Sequence, residues 1–308
     1  MIKYIFKRVI ALIPIIIGIT FLIYVVMSFS PGDPAALMLG DAATEEAVEQ
    51  LREELGLDDH VLVQYVKYIG RLLTGDMGNS YITGNSVMSE IIDRFPNTFK
   101  LSVFAIALAI IVAIPIGIVC ATKPNSFLDN LSMVFALVGV SMPAFWAGLL
   151  LILVFSVKLG WFPSGGSSGW ISLVLPSVTL SLGSMAIIAR TMRSSMLEVV
   201  RQDYIRTAKA KGVSSKIIIR KHALRNAMIP TATVIGLEMG TALGGAVLTE
   251  TVFAWPGIGR LVVDAIKAKD TPVVLGGIIV FAICFSLVNL IIDVLYAYID
   301  PRIKSDFK

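Results

Sequence analysis

Six long apolar runs alternate with polar segments along the chain. Each run holds about 20 residues or more, enough for a helix to cross the hydrocarbon core of a bilayer. A helix also satisfies its backbone polar groups internally, as lipid requires. The pattern therefore predicts an all-α polytopic membrane protein with six transmembrane helices at residues 9–30, 99–122, 131–157, 173–193, 228–251 and 274–298.

The first apolar run follows three basic residues and could be mistaken for a signal peptide. Its apolar stretch continues from Val9 to Phe29. That is longer than the apolar region of a signal peptide, and a small-residue cleavage site does not follow it. We expect this run to be retained as a signal-anchor helix.

Basic residues are distributed unevenly between the two sides of the predicted bundle. Of the 26 Lys and Arg residues, 17 fall at the two termini, at Lys123 and between Arg190 and Arg225. The segment 31–98 is rich in acids instead. The positive-inside rule therefore predicts that both termini and the loop 194–227 lie in the cytoplasm.

The segment 31–98 is long enough to form a small extracytoplasmic lid. Thr44, followed by two glutamates, is typical of a helix N-cap, and residues 61–73 form a second amphipathic stretch. Two interpretations remain open, a lid packed on the bundle and a surface that contacts substrate-side partners. The predicted division is 1–30 for the N-terminal tail and first helix, 31–98 for the lid region, and 99–308 for a five-helix core.

Composition restricts the chemistry that the chain can carry. Of its 308 residues, 56% are hydrophobic and only 16% charged, against roughly 25% charged in soluble domains. Both cysteines lie inside apolar runs and the two histidines lie in different loops, which argues against a disulfide framework or a metal site. The chain has no Gly-Lys dipeptide and hence no phosphate-binding P-loop. The sequence thus predicts a protein that is not an enzyme, has no cofactor and binds no nucleic acid.

The loop 194–227 carries eight Lys or Arg residues against two acids. Apolar residues lie between the charges on both sides of Gly212, which predicts two short helices meeting at a turn where glycine tolerates a positive φ. Basic segments beside a membrane bind anionic lipid at about 1 kcal/mol per charge, so membrane lipid is one expected partner. The small residues between Thr207 and Gly212 indicate, in addition, the close approach of a partner protein.

Several motifs carry a resemblance to a known family. The sequence DYIRTAKAKG at 203–212, followed by HALRNA at 222–227 and Pro230, resembles the EAA loop of bacterial ABC importer permeases. It is most similar to the oligopeptide, dipeptide and nickel branch. Further motifs of that branch follow in order along the chain: PGDP at 31–34, GDMGNS at 75–80, GVSMP at 139–143, ETVFAWPGIG at 250–259 and DPR at 300–302. The resemblance implies the type I importer permease fold and a place in the bacterial inner membrane.

The resemblance also implies a role for the loop. It would dock as a coupling helix in a groove of a cytoplasmic ATPase, whose closure would move the spans. Ala208, Ala210 and Gly212 would provide the close fit, and the neighbouring bases would provide charge complementarity. Arg206 stands where the general pattern begins with an acid, so the resemblance implies no salt bridge from an acid at that position. The implied coupling residues are Asp203, Tyr204, Arg206, Thr207, Ala208, Lys209, Ala210, Lys211 and Gly212.

The partners implied by the resemblance are those of an ATP-driven importer. They are a second, homologous permease subunit, two cytoplasmic ABC ATPase subunits and an extracytoplasmic substrate-binding protein. The chain has one coupling loop and no internal duplication, so the second permease has to come from another chain. In the peptide branch that chain is usually a related but distinct protein, so the resemblance implies a heterodimer. Di- or oligopeptides are the expected substrates, while nickel chelates, glutathione and short sugars remain open.

Glu238 lies about midway along the fifth apolar run. An ionisable residue at that depth has to face a water-filled path or a hydrogen-bonding partner. Two interpretations remain open. Glu238 lines a translocation path together with Met142 and Thr241, or it fixes the packing of the helices.

Small residues and a proline shape two of the predicted spans. Pro143 is expected to kink the third run. Gly236, Gly240 and Gly244 recur at four-residue spacing in the fifth run, which allows close contact between helices. That contact lies either inside the bundle or with the second permease.

Two functions of other classes compete with the importer. A proton-coupled secondary transporter would use Glu238 as its proton carrier, and a non-transporting membrane scaffold would use the basic loop only to bind lipid or a cytosolic partner. A secondary transporter predicts inverted repeats, and no clear repeat relates spans 1–3 to spans 4–6. A bulky residue at Gly212 should abolish uptake only in the ABC importer.

Overall fold

The computed structural model describes residues 2–40 and 43–299, and the side chains of residues 5–40 and 43–294. Within these ranges the chain is helical, and β-structure is limited to an isolated bridge between Asn79 and Ser86. The DPR motif at 300–302 lies outside the described residues. The helices are α1 (Ile2–Phe29), α2 (Pro34–Leu39), α3 (Glu45–Leu55), α4 (Val61–Leu73), α5 (Val87–Thr122), α6 (Phe127–Ser141), α7 (Ala144–Leu151), α8 (Ile171–Val200), α9 (Asp203–Ala210), α10 (Ser215–Ile217), α11 (Leu224–Val252), α12 (Ile258–Lys267) and α13 (Thr271–Ile299). Wider π-helical turns prolong α7 over Ile152–Lys158 and join α10 to α11 over Ile218–Ala223.

Five of these helices are long and apolar enough to cross a membrane, namely α1, α5, α8, α11 and α13. They contain five of the six predicted apolar runs. The third run consists of α6 followed by α7 with its π-helical turn, and the two parts meet at 106°. Counting this bent pair as one span gives six, so the predicted all-α, six-span fold is confirmed.

The break in the third run occurs at the proline that was expected to kink it. Met142 adopts extended backbone angles (φ −84°, ψ 124°), and Pro143 immediately precedes α7. Proline lacks the N–H that a helix needs and disfavours helical angles in the residue before it. The result is a sharp turn between two helices, a larger change of direction than a kink.

The bundle has two distinguishable ends. The end of α1 and the starts of α5 and α13 meet in one apolar cluster. This cluster includes Met27, Val87 and Val273 together with side chains of α4. We call this the α4 end. α5 finishes at the other end, where Ala121 packs against Ile205 of α9, and we call this the α9 end. The start of α1 and the end of α13 lie close together, because Arg8 and Asp293 form an ion pair of 2.8 Å.

The segment between α1 and α5 folds against the α4 end, and its local signals form as predicted. Thr44 caps α3 by accepting a hydrogen bond from the backbone of Ala47 at 3.3 Å, and α4 occupies the second amphipathic stretch. Tyr65 on α4 donates to the carbonyl of Ile17 on α1 at 2.7 Å, and its hydroxyl lies 3.0 Å from that of Thr20. These bonds fix α4 to the first span.

Glu250, in the motif at 250–259, holds the start of α12. Its carboxylate is fully buried and accepts hydrogen bonds from the Thr98 hydroxyl at 2.6 Å and from the Arg260 backbone amide at 3.0 Å. The same Thr98 hydroxyl accepts from the amide of Ile258 at 2.8 Å. Amides at the start of a helix lack partners within the helix, so Glu250 and Thr98 together satisfy them and tie α12 to α5 and α11.

Close packing explains why two positions of this motif are glycines. A Cβ atom on Gly257 would overlap the carboxylate of Glu250, and one on Gly259 would lie 2.9 Å from its Oε2 atom. Only glycine lets the backbone approach the acid so closely. The motif at 250–259 therefore encodes a buried helix anchor.

The broken third run is fastened to its neighbour near the α9 end. Arg193 of α8 donates from Nε to Oδ1 of Asp129 at 2.6 Å and from a terminal nitrogen to Oδ2 at 2.8 Å. Asp129 is almost completely buried. Such a two-pronged, charge-assisted pair fixes orientation as well as distance, and it holds the start of α6 against α8.

Candidate functional site

The loop 194–227 folds into the two short helices that its pattern predicts. α9 ends at Ala210, and Gly212 follows with φ +74°, its amide donating to the carbonyl of Lys209 at 3.0 Å. A positive φ at this position closes the helix end and favours glycine. The chain then reverses into α10, which begins at Ser215.

α9 is anchored to the bundle by a small apolar cluster. Ile205 is fully buried there among side chains of α5, α8 and α11, and Ala208 is half-buried against the same cluster. The Asn226 amide of α11 also donates to the Tyr204 hydroxyl of α9 at 2.7 Å. α9 is therefore held directly against α8 and α11.

The remaining predicted coupling residues form one exposed surface, which we call the α9 surface. It carries three cations and an acid, and the ion pair between Arg206 and Asp203 is long, at 3.7 Å, and solvated. Such exposed pairs contribute little to stability, so the charges are available to a partner. The α9 surface consists of Asp203, Tyr204, Arg206, Thr207, Lys209, Ala210, Lys211 and Gly212. Ala208 does not belong to it, because its side chain faces the chain's own cluster.

The three residues predicted to line a path lie around one cavity. The cavity has a volume of about 200 Å³, and Met142, Glu238 and Thr241 all line it. It is located where the third run breaks and is bounded by α8 and α11. Glu238 accepts a hydrogen bond of 2.7 Å from the Ser184 hydroxyl on α8, so it has a partner as well as a place in the cavity wall.

The contribution of α8 to this cavity was missed from sequence. Thr179 and Ser184 of α8 both line it. A signal existed, since hydroxyl residues and Gly183 interrupt an otherwise apolar span. The wall of the cavity therefore holds one carboxylate and several hydroxyls in an apolar setting.

The three glycines of the stripe on α11 do not share one environment. A Cβ atom on Gly236 would overlap Ile292 of α13, and one on Gly240 would lie 3.1 Å from the ring of Phe285. Gly244 is exposed, and a Cβ there would have no atom of the described residues within 4 Å. Packing inside the bundle explains the first two glycines and leaves Gly244 free for another contact.

Comparison with known sequences gives consistent results over nearly the whole chain. The model of the binding-protein-dependent transport system inner membrane component family matches residues 113–305, and the model of the N-terminal part of such components matches residues 1–102. The chain is 46% identical to a dipeptide transport system permease protein of Alkalihalophilus pseudofirmus, over 99% of this chain and 100% of the relative. It is 43% identical to a glutathione transport system permease protein of Escherichia coli K12, over 99% of each.

Solved structures share the fold at lower sequence identity. A methionine ABC transporter in an inward-facing conformation superposes with a TM-score of 0.57 at 18% identity, over 69% of this chain and 97% of that chain. An amino acid ABC transporter superposes with a TM-score of 0.53 at 15% identity, over 70% and 94%. The chain therefore shares its fold with solved ABC transporter structures.

Proposed function

The chain belongs to the family of binding-protein-dependent transport system inner membrane components, and from this premise we propose that it forms one half of the pore of an ATP-driven importer of di- or oligopeptides. It is a type I ABC importer permease of the dipeptide-permease-like group and a multi-pass inner membrane protein. The observation that carries the proposal is the α9 surface, where exposed cations lie on a helix that is anchored to two spans.

Energy enters, in this proposal, through the α9 surface. Each permease of the pair receives one cytoplasmic ABC ATPase on this surface, with Ala210 and Gly212 allowing close approach and Arg206, Lys209 and Lys211 selecting the partner by charge. Closure of the ATPases displaces α9. Because Ile205 is packed against α8 and α11, the displacement reaches the two helices that border the Glu238 cavity.

The proposal includes an orientation. Both termini and the α9 end face the cytoplasm, in keeping with the excess of bases there. The segment that contains α2, α3 and α4 faces the outside as a lid and receives the substrate-binding protein. The Arg8–Asp293 pair supports placement of both termini on one side.

The second permease is proposed to contact the exposed face of α11. Leu237, Thr241, Gly244 and Leu248 recur on that face and are all exposed. One chain provides a single α9 surface and an ATPase pair needs two, so a second permease is required. We propose a homologous but distinct chain, as the resemblance to the peptide branch implies.

Two glycine substitutions on α11 are expected to have different effects. Gly236→Leu should prevent stable folding, because the new side chain overlaps Ile292. Gly244→Leu should leave the thermal midpoint of the isolated chain unchanged and reduce its co-purification with the second permease. Thermal denaturation and pull-down of the two variants measure this. Loss of folding in Gly244→Leu would contradict the assignment of its face to the subunit interface.

Glu238 is proposed to line the substrate path and not to carry protons. Glu238→Gln keeps the side-chain size and an acceptor for the Ser184 hydroxyl. ATP-dependent peptide uptake should fall by no more than about tenfold, because a net hydrogen bond contributes about 0.5–1.5 kcal/mol. Glu238→Leu, which presents an apolar wall and leaves Ser184 without its acceptor, should reduce uptake further. Complete loss with Glu238→Gln would favour the proton-coupled transporter.

The proposed assembly is tested by purifying the chain from its native membrane in mild detergent. We expect a second six-span permease and P-loop ATPases to co-purify in stoichiometric amounts. Recovery of the chain alone, still active in transport, would contradict the proposal.

A further inference from the structure

Lys269 occupies an unfavourable position in the turn between α12 and α13. Its φ is +60°, a left-handed angle that normally favours glycine just after a helix. Its side chain is only 8% exposed, and among the residues that the structure describes its buried Nζ atom has no hydrogen-bond partner. Burying an ammonium group without a partner is unfavourable. A lysine that opposes folding in two ways indicates a role other than stability.

The side chain of Lys269 lines a cavity at the α4 end. The cavity has a volume of about 330 Å³ and lies between the end of α1, the turn at 31–34 and the connection from α3 to α4. The PGDP turn makes room for the lysine: Gly32 has φ +116°, and a Cβ there would come within 3.4 Å of the Cε atom of Lys269. The turn at 31–34 and the side chain of Lys269 therefore pack closely against each other.

The ion pairs around the cavity do not include the ammonium of Lys269. Asp33 is paired with Arg52 at 3.1 Å, and Asp59 is paired with Lys67 at 2.5 Å. Arg52 also pairs with Asp58, so two acids share it, and neither acid of the lining is paired with Lys269. Tyr81 adds a donor, because burial raises the pKa of its hydroxyl above the ordinary value and keeps it protonated. A small anion is the ligand that this lining is equipped to receive.

A second cavity adjoins the first and is lined by more acids than bases. Its volume is about 780 Å³, and it shares Tyr24, Asp59, Gln64 and Tyr81 with the Lys269 cavity. The charged residues of its lining are Glu53, Glu54, Asp58 and Asp59 against Lys67 and Arg71. Of these, Asp58 is paired with Arg52. An unpaired ammonium beside an acidic cavity matches a molecule with a carboxylate at one end and an ammonium at the other.

We propose that Lys269 binds the α-carboxylate of a short peptide in this cavity, with the peptide's α-ammonium directed toward the adjoining acidic cavity. The inference rests on the proposed function for its choice of peptide. The cavity itself requires only a carboxylate. The site would hold the substrate at the α4 end before it reaches the Glu238 cavity.

Equilibrium binding of radiolabelled trialanine to the full chain in lipid nanodiscs tests the proposal. We expect saturable binding that Lys269→Met weakens at least tenfold and that Lys267→Met leaves within twofold. Lys267 is the matched control because it is a lysine two residues away whose side chain is 70% exposed. Binding that is absent, or equal in wild type and Lys269→Met, would overturn the proposal.

Competing ligands identify the part of the peptide that is recognised. Trialanine amide should compete at least tenfold more weakly than trialanine, since it lacks the carboxylate, and N-acetyl-trialanine should be weakened less. Equal competition by the amide would overturn the role of Lys269. Competition by acetate as strong as that by trialanine would overturn the assignment to a peptide.

Two further measurements separate binding from folding and from the proposed function. The thermal midpoint of Lys269→Met without ligand should equal or exceed that of wild type, because a buried charge has been removed, and a decrease would assign the lysine to structure. Lys269→Arg, which keeps the charge, should retain part of the binding. If trialanine fails to bind while ATP-dependent uptake by the assembled transporter is intact, the proposal for Lys269 fails and the importer function stands.

Discussion

Gly212→Trp is expected to abolish ATP-dependent uptake without unfolding the protein. Gly212 is exposed at the end of α9, and a Cβ on it would have no atom of the described residues within 4 Å. The indole therefore protrudes from the α9 surface and prevents the close approach of an ATPase. Loss of even about 1.4 kcal/mol of docking free energy lowers affinity tenfold, and a steric block should exceed that. Uptake into proteoliposomes and pull-down of the ATPase measure the effect.

Gly160→Trp is the matched control for this variant. Gly160 also has a positive φ, +65°, is exposed, and has open space around its Cβ position within the described part of the chain. A non-glycine residue at either site adds a similar backbone strain of about 1–2 kcal/mol. Gly160 lies in the loop between the third and fourth spans, away from the α9 surface, so uptake should persist. Equal loss in both variants would mean that strain, and not docking, causes the defect.

Glu250→Ala is expected to be the most destabilising of the substitutions at single polar side chains. It removes the acceptor of the Thr98 hydroxyl and of the Arg260 amide, and each buried group left without a partner costs about 1–3 kcal/mol. A cavity beside Gly257 adds to the loss. The thermal midpoint in detergent should fall markedly, and tryptophan fluorescence reports it directly, because Trp255 is buried in the same turn.

Two further variants test whether the loss of stability is specific to Glu250→Ala. Glu54→Ala changes an exposed glutamate of α3 and should leave the thermal midpoint unchanged. Glu250→Gln keeps one acceptor oxygen and should give an intermediate decrease. A midpoint for Glu250→Ala equal to that of wild type would contradict the anchoring role assigned to the motif.

The sequence was sufficient for features that depend on neighbouring residues along the chain. Runs of apolar residues specify spans because lipid imposes one length and one backbone conformation. The Thr44 cap, the Gly212 turn and the break at Pro143 follow from the stereochemistry of those residues. These predictions needed no knowledge of which helices touch.

Features that depend on the rotation of one helix against another were beyond the sequence. The four-residue spacing of Gly236, Gly240 and Gly244 predicts a single contact surface, yet only Gly236 and Gly240 face α13. Ala208 belongs to the small residues of the coupling loop and still faces inward, because Ile205 three residues earlier fixes that side of α9. The partner of Glu238 likewise comes from α8, at Ser184, which hydropathy does not connect with the fifth span.

The site residues fall into the same two groups. The α9 surface could be named in advance because its residues are consecutive, and their exposure follows from charge. Lys269 could not be distinguished from other basic residues by composition. Its burial depends on the fold that brings the turn at 31–34 against the turn between α12 and α13.

The central claim is that ATP hydrolysis by partner subunits drives transport through this chain. Peptide uptake by proteoliposomes that contain both permeases and both ATPases, measured with the binding protein present, tests it most directly. We predict uptake that requires ATP, stops with a non-hydrolysable ATP analogue and is insensitive to a protonophore. Uptake by this chain alone, driven by a pH gradient and stopped by Glu238→Gln, would contradict the claim.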